Sequence, residues 1–184
     1  MSMLKFAAAF AVLASPALAT GIQIEVEGEA NGVITIDLFE DVAPGHVERI
    51  TTLANEGAYD GVVFHRVING FMAQTGDVMF GKVAGDMRRA GTGNSSYPDL
   101  KQEFSDKNFA RGVIGMARKG HSVDSANAQF FIMFAPAPHL NGQYTVVGEV
   151  VEGMDIVDAI KLGKGQNGSV IGQPDMMKKV TVTE

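Results

Sequence analysis

The sequence predicts an all-β (β-rich) fold in which about eight antiparallel strands close into a barrel that is capped by two α-helices. Runs of alternating apolar and polar residues recur along the chain, which is the pattern of half-buried strands. The 22 glycines are scattered between these runs, as expected for tight turns between short elements. Only two stretches have the period of an amphipathic helix. Closing the sheet into a barrel would remove its exposed edges.

The composition indicates one globular domain with a substantial core. The chain has 184 residues, of which 46% are hydrophobic. Its formal net charge is −6, and no run of Lys and Arg or basic aromatic stripe occurs. Nucleic acids and anionic membrane surfaces are therefore not expected as partners. The chain has no cysteine, which excludes disulfides, thiol chemistry and a lipoprotein anchor.

The N-terminus has the three regions of a secretory signal peptide. Lys5 precedes an apolar stretch from Phe6 to Ala14, and "SPALA" follows it, which predicts cleavage after Ala19. The apolar stretch is shorter than the roughly 20 residues that span a bilayer. We therefore expect a cleaved peptide at 1–19, a mature domain at 20–184 and a periplasmic location. An Ala-rich first helix packed on the domain is the alternative.

The mature chain begins with a predicted hairpin and a helix. "GIQIEVEGEANGVITIDLF" alternates on both sides of Asn31-Gly32, a dipeptide typical of hairpin turns. "APGHVERITTLANEG" predicts a helix with Pro44 in its first turn and Gly57 at its C-terminal cap. Its expected buried face consists of Val47, Ile50, Leu53 and Ala54.

The rest of the chain alternates strands and loops. Gly76 to Lys107 is predicted to be a loop, because it is rich in glycine and has no steady period. "GMDIVDAIKLG" predicts a second helix that turns Met154, Val157 and Ile160 inward and is capped by Gly163. The remaining strands are predicted at Val62–Ile68, Met72–Thr75, Arg111–Ala117, Gln129–Phe134 and Tyr144–Val151 and in the final "MKKVTVTE".

Five motifs occur in a fixed order: "FHRVINGFMAQTGD", "GTG" at 91–93, "GVIGMAR", "AQFFI" and "LNGQYTVVGEV". With these motifs, the chain from Ile22 to Val182 resembles the cyclophilins, and the loop before Ala128 and the tyrosine at Tyr144 resemble bacterial members. The resemblance implies an eight-stranded barrel with a helix over each open end. It also implies peptidyl-prolyl cis–trans isomerase activity without a cofactor, here in the folding of exported proteins. We expect a monomer that binds proline-containing segments of unfolded or partly folded proteins.

The resemblance carries over to individual site residues. It implies that Arg66 is the catalytic arginine, with Gln74 and Phe131 beside it. Gln74 and Gln129 would orient the arginine and the substrate. The implied substrate-binding residues are Phe71, Met72, Gly91, Ala117, Arg118, Lys119, Gln129, His139, Leu140 and Tyr144.

Three positions depart from the pattern of animal cyclophilins. Thr75 replaces a glycine, His139 stands at the place of a tryptophan, and Tyr144 stands at the place of a histidine. The tryptophan position bears on the binding of cyclosporin, the cyclic peptide inhibitor of the family. The resemblance therefore implies weak sensitivity to this inhibitor and unchanged core chemistry.

These residue types suit a twisted prolyl amide. Rotation about an X-Pro bond has a barrier of about 18–20 kcal/mol, which reflects lost amide resonance and requires no nucleophile or metal. A guanidinium can donate to the proline nitrogen, and aromatic and Met side chains can hold the ring.

Two other functions remain open from the residues. One is a catalytically inactive module that binds proline-containing segments. The other is a hydrolase that uses His65 or His121, although no Gly-x-Ser-x-Gly motif accompanies them. Strand alternation places His65 on the face opposite Arg66, so a buried histidine is expected there. The histidines lack ligand spacing, and no metal site is predicted.

Overall fold

Nine antiparallel strands form one sheet in the computed structural model, which describes residues 20–83 and 87–183. The predicted signal peptide lies outside the described residues. The strands are β1 (Gly21–Glu27), β2 (Gly32–Leu38), β3 (Val62–Val63), β4 (Arg66–Ile68), β5 (Met72–Thr75), β6 (Val113–Met116), β7 (Phe130–Met133), β8 (Val146–Glu152) and β9 (Met176–Thr183). Two α-helices, α1 (Pro44–Asn55) and α2 (Met154–Ala159), complete the β-rich fold.

The sheet curls so that its two ends meet in consecutive residues of the chain. The strand order is β3-β9-β1-β2-β8-β6-β7-β5-β4, and only Phe64 and His65 separate β3 from β4. The prediction of one strand from Val62 to Ile68 is therefore wrong, and the sheet is a curled half-barrel of nine strands instead of the predicted closed barrel of eight. At the break, the Phe64 amide donates to the Asp175 carbonyl, and the His65 carbonyl accepts from the Val170 amide. These bonds join the chain to loops instead of to a neighbouring strand.

The first hairpin confirms the predicted alternation but not the tight turn. Ile34, Ile36 and Leu38 of β2 are all buried. The connection runs from Gly28 to Asn31, and Gly32 already pairs with β1. The Asn31 side chain donates to the Gly28 carbonyl, which closes the loop. The Asn-Gly pair thus ends a longer loop instead of forming a two-residue turn.

Helix α1 agrees with its prediction, whereas α2 ends earlier than expected. Gly57 takes a left-handed conformation (φ 65°) one residue after Glu56, the C-cap of α1, as a glycine at this position commonly does. In α2, Ile160 is already non-helical, and the next amide, that of Lys161, donates to the Asp175 carboxylate. Gly163 therefore does not cap the helix, which corrects that prediction. Its amide donates to the Val67 carbonyl instead.

The core has two parts. The larger lies inside the curled sheet, where Ile24, Ile34 and Phe64 have no exposed surface. The smaller lies against β5, β6 and β7. It consists of Met72, Phe109, Val113, Phe131, Met133, Ala137, Leu140 and Val146. Among the described residues, no helix has both the length and the apolar character needed to cross a bilayer.

The described part of the predicted loop from Gly76 to Lys107 (76–83 and 87–107) contains no strand, as expected, and Asp77 organises it. This carboxylate is fully buried. One oxygen accepts from the amides of Met79 and Phe80, and the other accepts from those of Gly91 and Gly93. The charge is thus satisfied by main-chain donors, so Asp77 acts as a structural hydrogen-bond acceptor for this loop.

Candidate functional site

Strand register brings the key predicted residues into one row across the sheet. Arg66 on β4 pairs with Gln74 on β5, Gln74 pairs with Phe131 on β7, and Phe131 pairs with Gly115 on β6. Directly paired residues on adjacent strands point to the same face. Residues that are far apart in the sequence therefore form a continuous surface, which we call the cross-strand row.

A chain of amides fixes the polar end of this row. The Arg66 Nη1 donates to Gln74 Oε1 over 3.1 Å, and Gln74 Nε2 donates to Gln129 Oε1 over 3.0 Å. Gln129 in turn donates to the carbonyls of Gly91 and Gly93, over 3.2 and 2.8 Å. The orientation of the arginine is thus linked to the loop that Asp77 organises.

The Arg66 guanidinium is partly buried without an acidic partner among the described residues. Its oxygen acceptors are Gln74 Oε1, the Asn167 carbonyl (3.0 Å from Nε) and Asn167 Oδ1 (3.1 Å from Nη2), and the Met72 sulfur lies 4.0 Å from Nη1. Burial lowers the pKa of Arg66, and Tyr144 opposes this effect. An arginine remains protonated under these conditions. Its full charge is therefore available to a ligand.

An apolar pocket of about 170 Å³ adjoins this charge. Phe131, Met72 and Leu140 are nearly fully buried, so they form a rigid wall and floor. The Phe131 ring stacks on Phe109 and meets the Tyr144 ring edge-on, each at a centroid separation of 5.7 Å. The complete lining of this apolar pocket is Arg66, Phe71, Met72, Gln74, Ala117, Arg118, Phe131, Leu140 and Tyr144.

A second pocket, of about 190 Å³ and more polar, shares Gln74, Ala117 and Arg118 with the first. The predicted residues Gly91, Lys119 and Gln129 line it. Together the two pockets form a groove beside the cross-strand row. The Arg118 guanidinium lies over the Tyr144 ring at 4.5 Å, and Lys119 pairs with Asp99 at 2.9 Å, so both cations border the groove.

Two departures from the animal cyclophilin pattern have clear places in the structure. His139 is exposed and lies outside both pocket linings, where it stacks on Phe71 with a centroid separation of 5.7 Å. Thr75 is fully buried, and its hydroxyl donates to the Val63 carbonyl over 2.9 Å. The threonine thus ties β5 to β3.

Two residues of the site were not predicted from the sequence. Gly115 lies under Phe131, and a Cβ at this position would be 2.4 Å from Cζ of that ring. An isolated glycine within a strand is a signal for such a close approach. Asn167 bonds to Arg66 from 101 residues away. Its only local signal is the Asn-Gly dipeptide, which favours a turn.

The alternative of a hydrolase receives no geometric support. His65 is 92% buried, since 8% of its surface is exposed. Burial lowers its pKa to about 4. His121 is exposed, on the loop between β6 and β7. Within residues 20–83 and 87–183, no group of three or more His, Asp or Glu side chains is placed to hold a metal ion.

Comparison with known proteins identifies the same family along almost the whole chain. Residues 22–182 match the family described as "Cyclophilin type peptidyl-prolyl cis-trans isomerase/CLD". A "Probable peptidyl-prolyl cis-trans isomerase" of Brucella suis biovar 1 is 50% identical over 183 residues, which cover 96% of this chain and 93% of the relative. "Peptidyl-prolyl cis-trans isomerase B" of Bacillus subtilis is 36% identical over 155 residues, which cover 84% of this chain and 93% of the relative.

Solved structures share the fold. A cyclophilin type peptidyl-prolyl cis-trans isomerase of Cryptosporidium parvum superposes with a TM-score of 0.76 at 23% identity, covering 91% of this chain and 99% of the other. A second crystal structure of that protein, determined in the presence of the dipeptide Ala-Pro, gives a TM-score of 0.74 at 22% identity and covers 89% and 99% of the two chains.

Proposed function

The chain belongs to the cyclophilin family and is a cyclophilin-type peptidyl-prolyl cis–trans isomerase, and from this premise we propose that Arg66 is its catalytic donor. The observation that carries the proposal is the partly buried guanidinium at the rim of the apolar pocket. In this proposal the proline ring of the substrate occupies the pocket against Phe131, Met72 and Leu140. The prolyl nitrogen then faces Arg66.

The catalytic effect follows from the electronic structure of the amide. In the planar ground state the prolyl nitrogen shares its lone pair with the carbonyl, and in the twisted transition state that pair becomes available to a donor. Arg66 therefore binds the twisted form more strongly than the planar form, which is the requirement for catalysis. A preference of about 5–6 kcal/mol would accelerate rotation roughly ten-thousandfold.

Preorganisation supports this role. Gln74 and Gln129 orient the guanidinium before the substrate arrives, so that little reorganisation is needed during the reaction. Within the described part of the chain, the oxygen acceptors of Arg66 are neutral, so none of them cancels its charge. The apolar pocket also excludes water from one side of the amide, which strengthens the electrostatic interaction.

The groove suits an extended peptide on the N-terminal side of the proline. The polar pocket continues from the apolar pocket past Ala117 and Arg118 toward Gly91 and Lys119. We place the residues that precede proline there, where main-chain groups and the Arg118 and Lys119 side chains border the groove. The substrates in this proposal are proline-containing segments of unfolded or partly folded proteins, and the enzyme acts as a monomer.

We further propose that the enzyme acts on exported proteins in the periplasm. The support is the N-terminal pattern of Lys5, an apolar stretch and Ala17-Leu18-Ala19. Removal of residues 1–19 takes away one lysine and no acidic residue, so the mature charge becomes −7 in place of −6. The absence of cysteine suits an oxidising compartment.

Refolding of a protein whose folding is limited by proline isomerisation tests the proposed activity on protein substrates. Residues 20–184 should accelerate the slow refolding phase in proportion to enzyme concentration, and Arg66→Ala at equal concentration should not. A slow phase that wild-type enzyme leaves unchanged would refute action on protein substrates. For the location, N-terminal mass analysis of protein from the exported fraction should give a chain that starts at or near Thr20. An intact Met1 there would refute the cleavage.

A further inference from the structure

The turn Gln166–Gly168 carries an asparagine in an unusual backbone conformation. Asn167 has φ 54° and ψ 30°, and among the described residues it is the one non-glycine residue with a positive φ. Asparagine is one of the few L-residues that adopt this left-handed region readily. Such conformations persist where the surrounding structure enforces them, and they often occur at functional sites.

Two oxygens of Asn167 accept hydrogen bonds from the Arg66 guanidinium. Its main-chain carbonyl accepts from Nε over 3.0 Å, and its side-chain Oδ1 accepts from Nη2 over 3.1 Å. Gln74 accepts from Nη1. A guanidinium has five N–H groups, so among the described residues one N–H on Nη2 has no acceptor, and the second N–H of Nη1 has only the weakly accepting Met72 sulfur, 4.0 Å away. All three nitrogens are thus held by oxygen acceptors, and the second N–H of Nη2, together with the Nη1 N–H beside Met72, is left for a substrate.

The turn is anchored to the strand that carries the arginine. The Val170 amide donates to the His65 carbonyl over 3.0 Å, and the Gly163 amide donates to the Val67 carbonyl over 2.9 Å. These carbonyls belong to the residues on either side of Arg66. Gly168 packs so closely on Ile68 that a Cβ would be 2.3 Å from its Cγ1. The position of Asn167 relative to Arg66 is therefore set by the main chain on both sides of the contact.

We propose that Asn167 is a positioning residue for the isomerisation, which fixes the plane of the Arg66 guanidinium so that the remaining N–H of Nη2 and the Nη1 N–H beside Met72 face the apolar pocket. Gln74 alone would leave the guanidinium free to rotate about a single contact, whereas Asn167 fixes the opposite edge. The neutral oxygens of Asn167 achieve this without neutralising the charge. This inference rests on the proposed donor role of Arg66.

Asn167→Gly isolates the side-chain contact. Glycine adopts a φ of 54° without strain and keeps the main-chain carbonyl, so only the bond from Nη2 is lost. Gln166→Gly is the matched control, because the neighbouring side chain is exposed and the substitution has the same effect on the flexibility of the turn. We expect kcat to fall about three- to tenfold in Asn167→Gly with KM nearly unchanged, and both to remain near wild type in Gln166→Gly.

Two further measurements separate positioning from a structural role. In the Arg66→Ala background, Asn167→Gly should cause no additional loss, because the residue acts through the arginine. NMR of the Arg66 side chain should show faster rotation of its Nη groups in Asn167→Gly than in Gln166→Gly.

Failure of this inference can be told from failure of the proposed function. Wild-type kcat in Asn167→Gly, or losses that multiply in the double variant, would overturn the positioning role even if Arg66→Ala is impaired. Wild-type activity in Arg66→Ala would overturn the donor role itself, and the positioning role with it.

Discussion

Gly115→Ala should displace the main wall of the apolar pocket. Gly115 lies beside Phe131 in the cross-strand row, and a Cβ there would be 2.4 Å from Cζ of Phe131 and 2.6 Å from Cε1 of Phe109. Normal contacts between carbon atoms are about 3.5–4.0 Å. The aromatic rings must therefore move by about 1 Å or more. Since Phe109 and Phe131 stack on one another, the outer ring, Phe131, has to move toward the pocket.

The magnitude follows from overpacking and from lost pocket volume. An extra methyl group in a packed core lowers the free energy of unfolding by about 1–3 kcal/mol. A proline ring that loses about half of its apolar contact loses about 1.5 kcal/mol, which corresponds to roughly tenfold weaker binding. We thus expect a folded, less stable enzyme in which KM for a prolyl peptide rises about tenfold.

Three measurements test this prediction. NMR titration gives the affinity for an Ala-Pro peptide, isomerisation of that peptide gives kcat/KM, and urea unfolding gives the stability. Gly120→Ala is the matched control, because no atom lies within 4 Å of a Cβ at Gly120. It should change neither affinity nor stability. Wild-type affinity in Gly115→Ala, with the Phe131 resonances unshifted, would refute the role that we assign to this glycine.

Three other predictions test separate parts of the structure. Burial lowers the pKa of His65 to about 4, and Arg66 adds to this effect whereas Asp77 and the Val63 carbonyl oppose it. Because the unfolded chain binds the proton near pH 6.5, stability should fall by up to about 3 kcal/mol as pH drops from 6.5 to 4. His65→Leu should reduce this slope in urea unfolding, and an equal slope in both proteins would contradict the assignment. His139→Trp should strengthen cyclosporin binding about ten- to a hundredfold in a calorimetric titration, because an indole adds apolar area and a hydrogen-bond donor. Turnover of a peptide substrate should change little. Unchanged cyclosporin affinity would place position 139 outside the inhibitor site. Phe131→Ala should mainly raise KM in the peptide assay, because the pocket becomes wider and admits water. A loss confined to kcat would contradict the role of Phe131 as a wall of the apolar pocket.

The local patterns of the sequence were sufficient for most elements but not for their ends. Alternation along Ile34, Ile36 and Leu38 and the apolar face of α1 depend on nearest neighbours, which the sequence contains. The break at Phe64 and His65 lies within a continuous apolar run, and it is caused by bonds to Asp175 and Val170, more than 100 residues away. No local pattern encodes those bonds.

The same distinction applies to the site. The resemblance indicated which side chains line the groove, and the cross-strand register explains why Arg66, Gln74 and Phe131 lie together. Gly115 and Asn167 escaped prediction because their importance depends on what lies against them in space. The roles of a glycine in a strand and of an exposed asparagine in a turn can be assigned only when the Phe131 ring and the Arg66 guanidinium that they contact are known.

The catalytic role of Arg66 is tested most directly by exchange NMR of an Ala-Pro peptide with wild-type enzyme, Arg66→Ala and Arg66→Lys. One positioned donor is typically worth about 2.7–4 kcal/mol, so kcat/KM should fall at least about a hundredfold in Arg66→Ala. Arg66→Lys should restore little, because an ammonium lacks the planar set of donors that Gln74 and Asn167 orient. Near-normal isomerisation by a correctly folded Arg66→Ala protein would contradict the account.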